Sequence, residues 1–180
     1  MLVSFLDFDG VLNSDEYFIS NEFKEYQKTF GLWVDHHYHL DKKAVKLYSE
    51  FVEKTNAKTI ISSNWRFHHD TKELISILEK VGFVGEVIGT TVFKYQDLNL
   101  ELLKSHKLEG TLRWYSGIYP VFIRGHLIFQ KMMELNLTSD QIIIFDDRTD
   151  MDPLYDRLIQ TDEGEGLTEE NIEQALRLVK

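Results

Sequence analysis

Cysteine is absent from this chain of 180 residues, which excludes disulfide bonds, thiolate nucleophiles and zinc sites built on thiolates. The glycine-rich loops that cradle phosphates, GxxxxGKS/T and GxGxxG, are also absent, so we expect neither P-loop nucleotide hydrolysis nor dinucleotide binding. Proline occurs only twice, and no proline-rich linker divides the chain. At this length we predict a single domain over residues 1–180.

Positive charge and long hydrophobic runs are scarce as well. The net charge of -10 argues against general nucleic-acid binding, which needs a basic face. Basic side chains outnumber acidic ones between residues 94 and 131, where either a phosphorylated ligand or a solvated surface would explain them. The N-terminal apolar run stops after six residues and carries no positively charged leader. We therefore predict no signal peptide, no membrane span and a cytoplasmic location.

The beginning of the chain is its most informative stretch. Residues 1–6 are nearly all apolar and predict a buried strand. Asp7 and Asp9 follow on one side of it, because side chains of an extended segment repeat with period two. Gly10 then marks a sharp turn or a close approach of a ligand to the backbone. Since converging buried carboxylates repel each other unless a cation lies between them, we predict a Mg²⁺ site with oxygen ligands.

Strands and helices alternate along the rest of the chain. Runs rich in β-branched residues predict strands at 58–62, 86–89, 141–145 and 157–160. Helices are predicted after the N-cap residues Asp41, Asp70 and Thr168 and after Arg124. This alternation predicts an α/β fold with a parallel sheet covered on both faces. Two stretches, 13–57 and 92–119, are candidate insertions over the active site.

Polar residues stand at the predicted ends of strands, where open α/β sheets bind their ligands. They are Asp7 and Asp9, Ser62 and Ser63, Arg124 after the short run 121–123, and Asp146 and Asp147. Each alone is a common turn or cap residue. Together they predict an acidic pole that binds a cation, beside hydroxyl and guanidinium groups that suit phosphate.

Five short motifs resemble a known family. Residues 7–12, DFDGVL, resemble the first signature of the haloacid dehalogenase (HAD) superfamily, whose members are mostly magnesium-dependent phosphatases. Finer features are similar to the HAD domain of the Swiss Army Knife RNA repair group: 61–66 (ISSNWR), 87–91 (VIGTT), 124–126 (RGH) and 146–151 (DDRTDM). The resemblance implies a Rossmann-like, doubly wound, mainly parallel sheet with a small or absent cap.

The resemblance also implies a role for each polar residue. Asp7 would attack phosphorus and become an aspartyl-phosphate, and Asp9 would act as general acid and then as general base. The Mg²⁺ ligands it implies are Asp7, Asp9 through its backbone carbonyl, Asp146 and Asp147. The ligands it implies for the phosphoryl oxygens are Ser63, Asn64 and Arg124.

Several assignments stay open at this point. Ser62 competes with Ser63 for the hydroxyl role, and strand alternation lets only one of the two face the site. Lys131 is the rival of Arg124, although it lies one or two turns inside the predicted helix. Asp150 could bind the metal through water or cap a turn.

Aromatic and histidine side chains carry weaker signals. Trp65 is interpreted as a packing residue rather than a base-stacking platform. The neighbouring His36, His37 and His39 are interpreted as polar residues near an entrance rather than as a metal site.

The functional hypothesis is a Mg²⁺-dependent phosphohydrolase that removes a phosphate monoester. The resemblance favours a nucleotide or a nucleic-acid end as the phosphorylated substrate, whereas the acidic net charge favours a small phosphorylated metabolite. A phosphate-binding or partner-binding module without turnover is the alternative from another class.

Overall fold

Five parallel strands form the central sheet, and helices cover both of its faces. The structure, a computed structural model, describes residues 1–30, 39–92, 97–108, 113–115, 119–121 and 123–179. In chain order its strands and helices are β1 (Val3–Leu6), α1 (Asp15–Ile19), α2 (Asn21–Phe30), α3 (Lys42–Thr55), β2 (Lys58–Ile61), α4 (Thr71–Lys80), β3 (Glu86–Thr90), α5 (Leu100–Ser105), β4 (Arg113–Tyr115), β5 (Tyr119–Val121), α6 (Arg124–Glu134), β6 (Ile142–Asp146), β7 (Leu158–Gln160) and α7 (Glu169–Leu178). Short 3-10 turns cover Asn64–Phe67, Ser139–Gln141 and Tyr155–Arg157.

The order of strands across the sheet is β3-β2-β1-β6-β7, and every neighbouring pair is parallel. The predicted Rossmann-like α/β architecture is therefore confirmed. β1 lies in the centre, so its carboxyl end is flanked by the ends of β2 and β6. All four of its residues are buried, because a parallel sheet covered on both faces leaves no solvated side.

Two apolar layers enclose the sheet. On one face α3, α4 and α7 pack against a layer that includes Leu6, Ile61 and Phe145. On the other face α5 and α6 pack against a layer that includes Phe5 and Ile144. Successive strand residues alternate between the two layers, as the pleat of a strand requires.

A buried hydroxyl cluster joins α3 to the sheet. Ser4 is the polar residue of β1, and its hydroxyl accepts a hydrogen bond of 2.9 Å from Tyr48. The Tyr48 hydroxyl also lies 2.9 Å from Thr59 Oγ1 on β2. Burial raises the pKa of Tyr48 to about 12, so its hydroxyl keeps its proton at neutral pH and remains a donor.

Local signals placed the helix starts correctly. The side chain of Asp41 accepts a hydrogen bond from Lys43 N at the start of α3, and Asp70 forms a capping box with Glu73 at the start of α4. Thr168 caps α7 in the same way. These caps satisfy backbone N–H groups that have no partner within the helix.

Arg124 reaches the site from a helix and not from a strand of the central sheet. The predicted run 121–123 is divided, because β5 ends at Val121 and pairs antiparallel with β4 in a separate hairpin. Ile123 is the N-cap residue of α6, and Arg124 is the first residue of that helix. A short apolar run does not by itself distinguish a central strand from a hairpin strand.

The stretches 13–57 and 92–119 are described in part. The first contains α1, α2 and α3, and the second contains α5, β4 and the start of β5. Residues 31–38, 93–96, 109–112 and 116–118 lie outside the described residues, and His36 and His37 are among them. That these stretches are insertions over the site stays a prediction. Within the described ranges, no helix combines the length and apolar character needed to cross a membrane.

Candidate active site

The carboxyl ends of three adjacent strands bring polar side chains together. Leu6 pairs with Ile61 of β2 and with Phe145 of β6. The pairing continues one residue further, since Asp7 N donates to Phe145 O at 3.0 Å and Ser62 N donates to Leu6 O at 2.8 Å. Asp7, Ser62 and Asp146 therefore stand side by side at the edge of the sheet.

Arg124 provides the cation that this acidic edge requires. Its Nη1 atom lies 2.5 Å from Asp7 Oδ2 and 3.1 Å from Asp146 Oδ2. The same nitrogen donates to the carbonyl of Ser62 at 3.0 Å. Asp146 is fully buried and Arg124 is 5% exposed. A buried carboxylate without a partner would be very costly, so this ion pair makes the acidic edge compatible with folding.

One guanidinium does not balance the neighbouring carboxylates. Burial raises the pKa of Asp146 well above its ordinary value, and the charge of Asp7 raises it further while Arg124 lowers it. Burial and then the charge of Asp7 also raise the pKa of Asp147. For Arg124, burial lowers the pKa, but Asp7 and Asp146 outweigh that effect and raise it above its ordinary value. The guanidinium is therefore charged, and the carboxylates still repel one another.

A divalent cation fits this group of carboxylates. Asp7, Asp146 and Asp147 each offer one oxygen, and the three oxygens lie within 4.8 Å of one another. All-oxygen donors with negative charge are the ligands that Mg²⁺ prefers, and a second cation would relieve the repulsion among these carboxylates. Among the described residues, the carboxylate of Asp9 is not part of this group.

The carboxylate of Asp9 is held by two neutral donors instead. Asn13 Nδ2 donates to Asp9 Oδ1 at 2.9 Å, and Trp65 Nε1 donates to Asp9 Oδ2 at 2.9 Å. Sequence reasoning missed both residues as parts of the site. Asn13 lies only four residues after Asp9, so its position in the turn was the one available signal, whereas Trp65 is 56 residues away and nothing local pairs it with Asp9.

Gly10 lets the turn after β1 approach the loop after β6. Its φ angle of +70° belongs to the left-handed region, which favours glycine. A Cβ atom built on Gly10 would lie 2.8 Å from both Cβ and Cγ of Asp147. Thr161 Oγ1 donates to the carbonyl of Gly10 at 2.7 Å and holds the turn from the other side. Asp147, a predicted metal ligand, can therefore occupy this position only because residue 10 is a glycine and has no side chain.

The two serines at the end of β2 have different surroundings. Ser63 Oγ accepts a hydrogen bond of 3.3 Å from Trp65 N and caps the following 3-10 turn. Ser62 Oγ is buried and has no hydrogen-bond partner in the described part of the chain. Asn64 is exposed on that turn. Arg66, which is 1% exposed, donates to the carbonyls of both serines and holds the backbone of this segment in place.

The remaining open residues have structural partners. Asp150 Oδ2 accepts a hydrogen bond of 3.1 Å from Arg124 N, so this carboxylate caps α6, whose own N-cap residue supplies no side-chain bond. Asp150 also pairs with Arg148 at 2.8 Å. Lys131 pairs with Glu134 at 3.2 Å, in the last turn of the same helix. Arg124, and not Lys131, is thus the cation next to Asp7.

A cleft opens beside Asp9 between the turn after β1 and the loop after β7. Its volume is ≈ 280 Å³. The lining residues are Asp9, Gly10, Asn13, Ser14, Asp15, Phe18 and Glu163. Backbone hydrogen bonds hold the two walls together, because Asp15 N donates to Glu163 O at 3.2 Å and Glu16 N donates to Gly164 O at 3.0 Å. The wall is acidic, with Asp15 and Glu163 both exposed.

Comparison with known protein families agrees with this geometry. A family described as the HAD domain in Swiss Army Knife RNA repair proteins matches residues 3–172 of the chain. The chain belongs to this family. No curated protein and no solved structure shows significant similarity to the chain.

Membership of this HAD family suggests a HAD-type phosphatase or an RNA-repair activity, and it supports a hydrolase. HAD domains generally use a divalent metal, and the buried group of Asp7, Asp146 and Asp147 could bind one. The family also suggests a phosphorylated substrate. The resemblance recognised from the sequence motifs is confirmed.

A methyl group at residue 10 should damage the site by steric contact as well as by backbone strain. We expect Gly82→Ala, with φ +94° and nothing within 4 Å of the added Cβ, to cost about 1 kcal/mol from left-handed strain alone. We expect Gly10→Ala to cost about 2 kcal/mol more, because its Cβ overlaps Asp147. Urea unfolding measures both free energies, and the rise in Tm with added MgCl₂ should shrink for Gly10→Ala only. Equal losses in the two variants would contradict the contact.

Proposed function

We propose that this HAD-family chain is a phosphatase that removes a phosphate monoester through an aspartyl-phosphate on Asp7. The observation that supports this proposal most directly is the environment of Asp7. It lies at the end of the central strand, 2.5 Å from Arg124 and beside Asp146. A carboxylate nucleophile next to a fixed cation can approach an anionic phosphate and then share its charge with that cation.

The proposed reaction has two displacements at phosphorus. In the first, an Asp7 oxygen attacks phosphorus, the ester bond breaks, and the leaving oxygen takes a proton from Asp9. In the second, Asp9 takes a proton from water, the water oxygen attacks the phosphorus, and the bond from Asp7 to phosphorus breaks. Inorganic phosphate leaves, and both aspartates return to their starting states. Splitting one hard displacement into two lowers the barrier of each.

Four chain segments would hold the cofactor and the phosphate. When bound, Mg²⁺ would offset the repulsion between the attacking carboxylate and the phosphate, with Asp7, Asp146 and Asp147 and the backbone carbonyl of Asp9 as its ligands. Arg124 is proposed to hold phosphoryl oxygens, because a guanidinium can donate two hydrogen bonds to them. Asn64 stays a predicted contact on the exposed 3-10 turn.

Ser62 is proposed as the phosphate-binding hydroxyl in preference to the predicted Ser63. Its side-chain oxygen is buried without a partner in the described structure, whereas the Ser63 oxygen already caps a turn. Ser62 also stands next to Asp7 in the strand ladder, one position beyond the Leu6–Ile61 pair. A buried hydroxyl that has no partner among the described residues and lies beside the nucleophile is suited to donate to a phosphoryl oxygen.

The central test is phosphate release from an aryl phosphate. We expect turnover with MgCl₂, loss of turnover with EDTA, and a fall of at least about 1000-fold in kcat for Asp7→Asn, because the amide is not a nucleophile. Asp156→Asn, which makes the same change at an exposed acid, is the matched control and should retain activity. Absence of turnover on a broad panel of phosphate esters would favour the binding-module alternative, and full activity of Asp7→Asn would overturn the mechanism.

Substitution of Ser62 and substitution of Ser63 should have different effects on KM and on the free energy of unfolding. We expect Ser62→Ala to raise KM about 10-fold, because it removes one hydrogen bond to a charged oxygen, with little change in Tm. We expect Ser63→Ala to lower the free energy of unfolding by about 1 kcal/mol through the lost cap, with KM nearly unchanged. The reverse pattern would return the phosphate role to Ser63.

Two substrate classes are supported by different observations. Membership of a family found in RNA repair proteins supports a nucleotide or a nucleic-acid end. The cleft beside Asp9 supports a small phosphorylated metabolite, because Asp15 and Glu163 on its wall and the net charge of -10 would repel a polyanionic leaving group.

Salt dependence distinguishes these classes. For the nucleic-acid class we expect kcat/KM to be higher on a 3′- or 5′-phosphorylated oligonucleotide than on the mononucleotide, and to fall steeply between about 50 and 200 mM NaCl as phosphate contacts are screened. For the metabolite class we expect similar or higher kcat/KM on sugar or polyol phosphates and little salt dependence. An oligonucleotide preference that persists after Asp15→Asn and Glu163→Gln would show that the acidic wall does not select the substrate.

A further inference from the structure

We propose that Trp65 is a positioning residue for Asp9, assisted by Asn13, and that its indole N–H orients the Asp9 carboxylate for proton transfer to the leaving group. This inference rests on the proposed phosphatase function. It adds two residues to which neither the sequence motifs nor the family description gives a role in the reaction. Its basis is the pair of hydrogen bonds that hold Asp9, one on each carboxylate oxygen, both 2.9 Å long.

Trp65 is itself held rigidly, so its N–H has a defined direction. Its side chain is 4% exposed, and its ring meets the ring of Phe8 edge to face, with centroids 5.1 Å apart and an interplanar angle of 83°. Its backbone N–H donates to the Ser63 hydroxyl. Arg66 ties the same turn to the end of β2 through the carbonyls of Ser62 and Ser63. The indole is therefore fixed to the strand that flanks β1.

Asn13 holds the other oxygen from the opposite segment. Its side chain is 3% exposed. Its amide nitrogen donates to Asp9 Oδ1 and, at 3.3 Å, to the carbonyl of His39, while its amide oxygen accepts from Gly10 N at 3.1 Å. These three bonds determine which end of the amide faces Asp9. Asp9 is thus clamped between the turn after β1 and the turn after β2.

Charge distinguishes the partners of the two aspartates, since Asp7 pairs with the guanidinium of Arg124. Asn13 and Trp65 carry no charge and do not titrate, and each carboxylate oxygen keeps a second lone pair that can carry the proton. The two aspartates of the first motif therefore differ in their partners, a guanidinium for Asp7 and uncharged N–H groups for Asp9.

The dependence of kcat/KM on the leaving group distinguishes a positioning role of Trp65 from a role in packing alone. A general acid matters most when the leaving oxygen is basic and least when it leaves readily as an anion. The probes are 2,4-dinitrophenyl, 4-nitrophenyl and phenyl phosphate, whose leaving oxygens are increasingly basic. We expect Trp65→Phe to lower kcat/KM for phenyl phosphate about 10- to 100-fold and to change that for dinitrophenyl phosphate by less than about 3-fold.

Two controls define what the loss means. Tyr48→Phe also removes a buried donor from an aromatic ring, on α3 and away from Asp9, and should change kcat/KM equally for all three probes, if at all. In an Asp9→Asn background, Trp65→Phe should cause no further loss on phenyl phosphate, because its effect runs through Asp9. If Trp65→Phe does not fold, benzothienylalanine at position 65 keeps the bicyclic shape and lacks the N–H donor.

The outcomes distinguish this inference from the proposed function. An equal loss on all three probes, or no loss on any, would overturn the positioning role while wild-type turnover and its dependence on Asp7 still support the phosphatase. Failure of wild-type turnover, or full activity of Asp7→Asn, would overturn the phosphatase and the positioning role with it. A selective loss on phenyl phosphate that disappears in the Asp9→Asn background would support both.

Discussion

Electrostatic repulsion among buried carboxylates is the constraint on which this site depends. Asp7 and Asp146 stand side by side on adjacent strands, and Asp147 follows immediately. Arg124 lies between the first two, with one nitrogen within 3.1 Å of both. Without it, the end of the central strand would carry unpaired buried charge, which costs far more than the hydrogen bonds of the ladder contribute. Charge remains unbalanced even with Arg124 in place, which gives the site its capacity for a divalent cation.

Backbone geometry holds that charged group together. Gly10 leaves room for Asp147 where a side chain would collide with it. At the other side, a Cβ atom on Gly125 would lie 2.4 Å from backbone atoms of residues 151 and 152, so the start of α6 can approach the loop after β6 only because Gly125 has no side chain. Asp150 then caps the helix. Arg124 is therefore brought to Asp7 by close backbone packing and by a carboxylate from a different segment.

Sequence reasoning reached most of the fold and part of the site. Residues 1–6, 58–62 and 141–145 are apolar runs that needed both faces covered, and Asp41, Asp70 and Thr168 carry local cap signals, so the strands and helix starts were predictable. Asp7 and Asp146 were predictable because polar residues at strand ends meet at one edge of a parallel sheet. The bond from Asp150 to the start of α6 and the bond from Trp65 to Asp9 were not predictable, because each depends on contacts between segments far apart in the chain.

The sequence by itself determined the parallel α/β architecture, the absence of thiol chemistry and the acidic residues available at the strand ends. These follow from composition, periodicity and caps, which act over a few residues. The tertiary structure decided which of those residues meet. It placed Arg124 and not Lys131 beside Asp7 and held Asp9 between two uncharged donors. It also left the Ser62 hydroxyl without a partner within the described ranges, while Ser63 caps a turn. Such choices depend on strand register and helix packing, which no local pattern encodes.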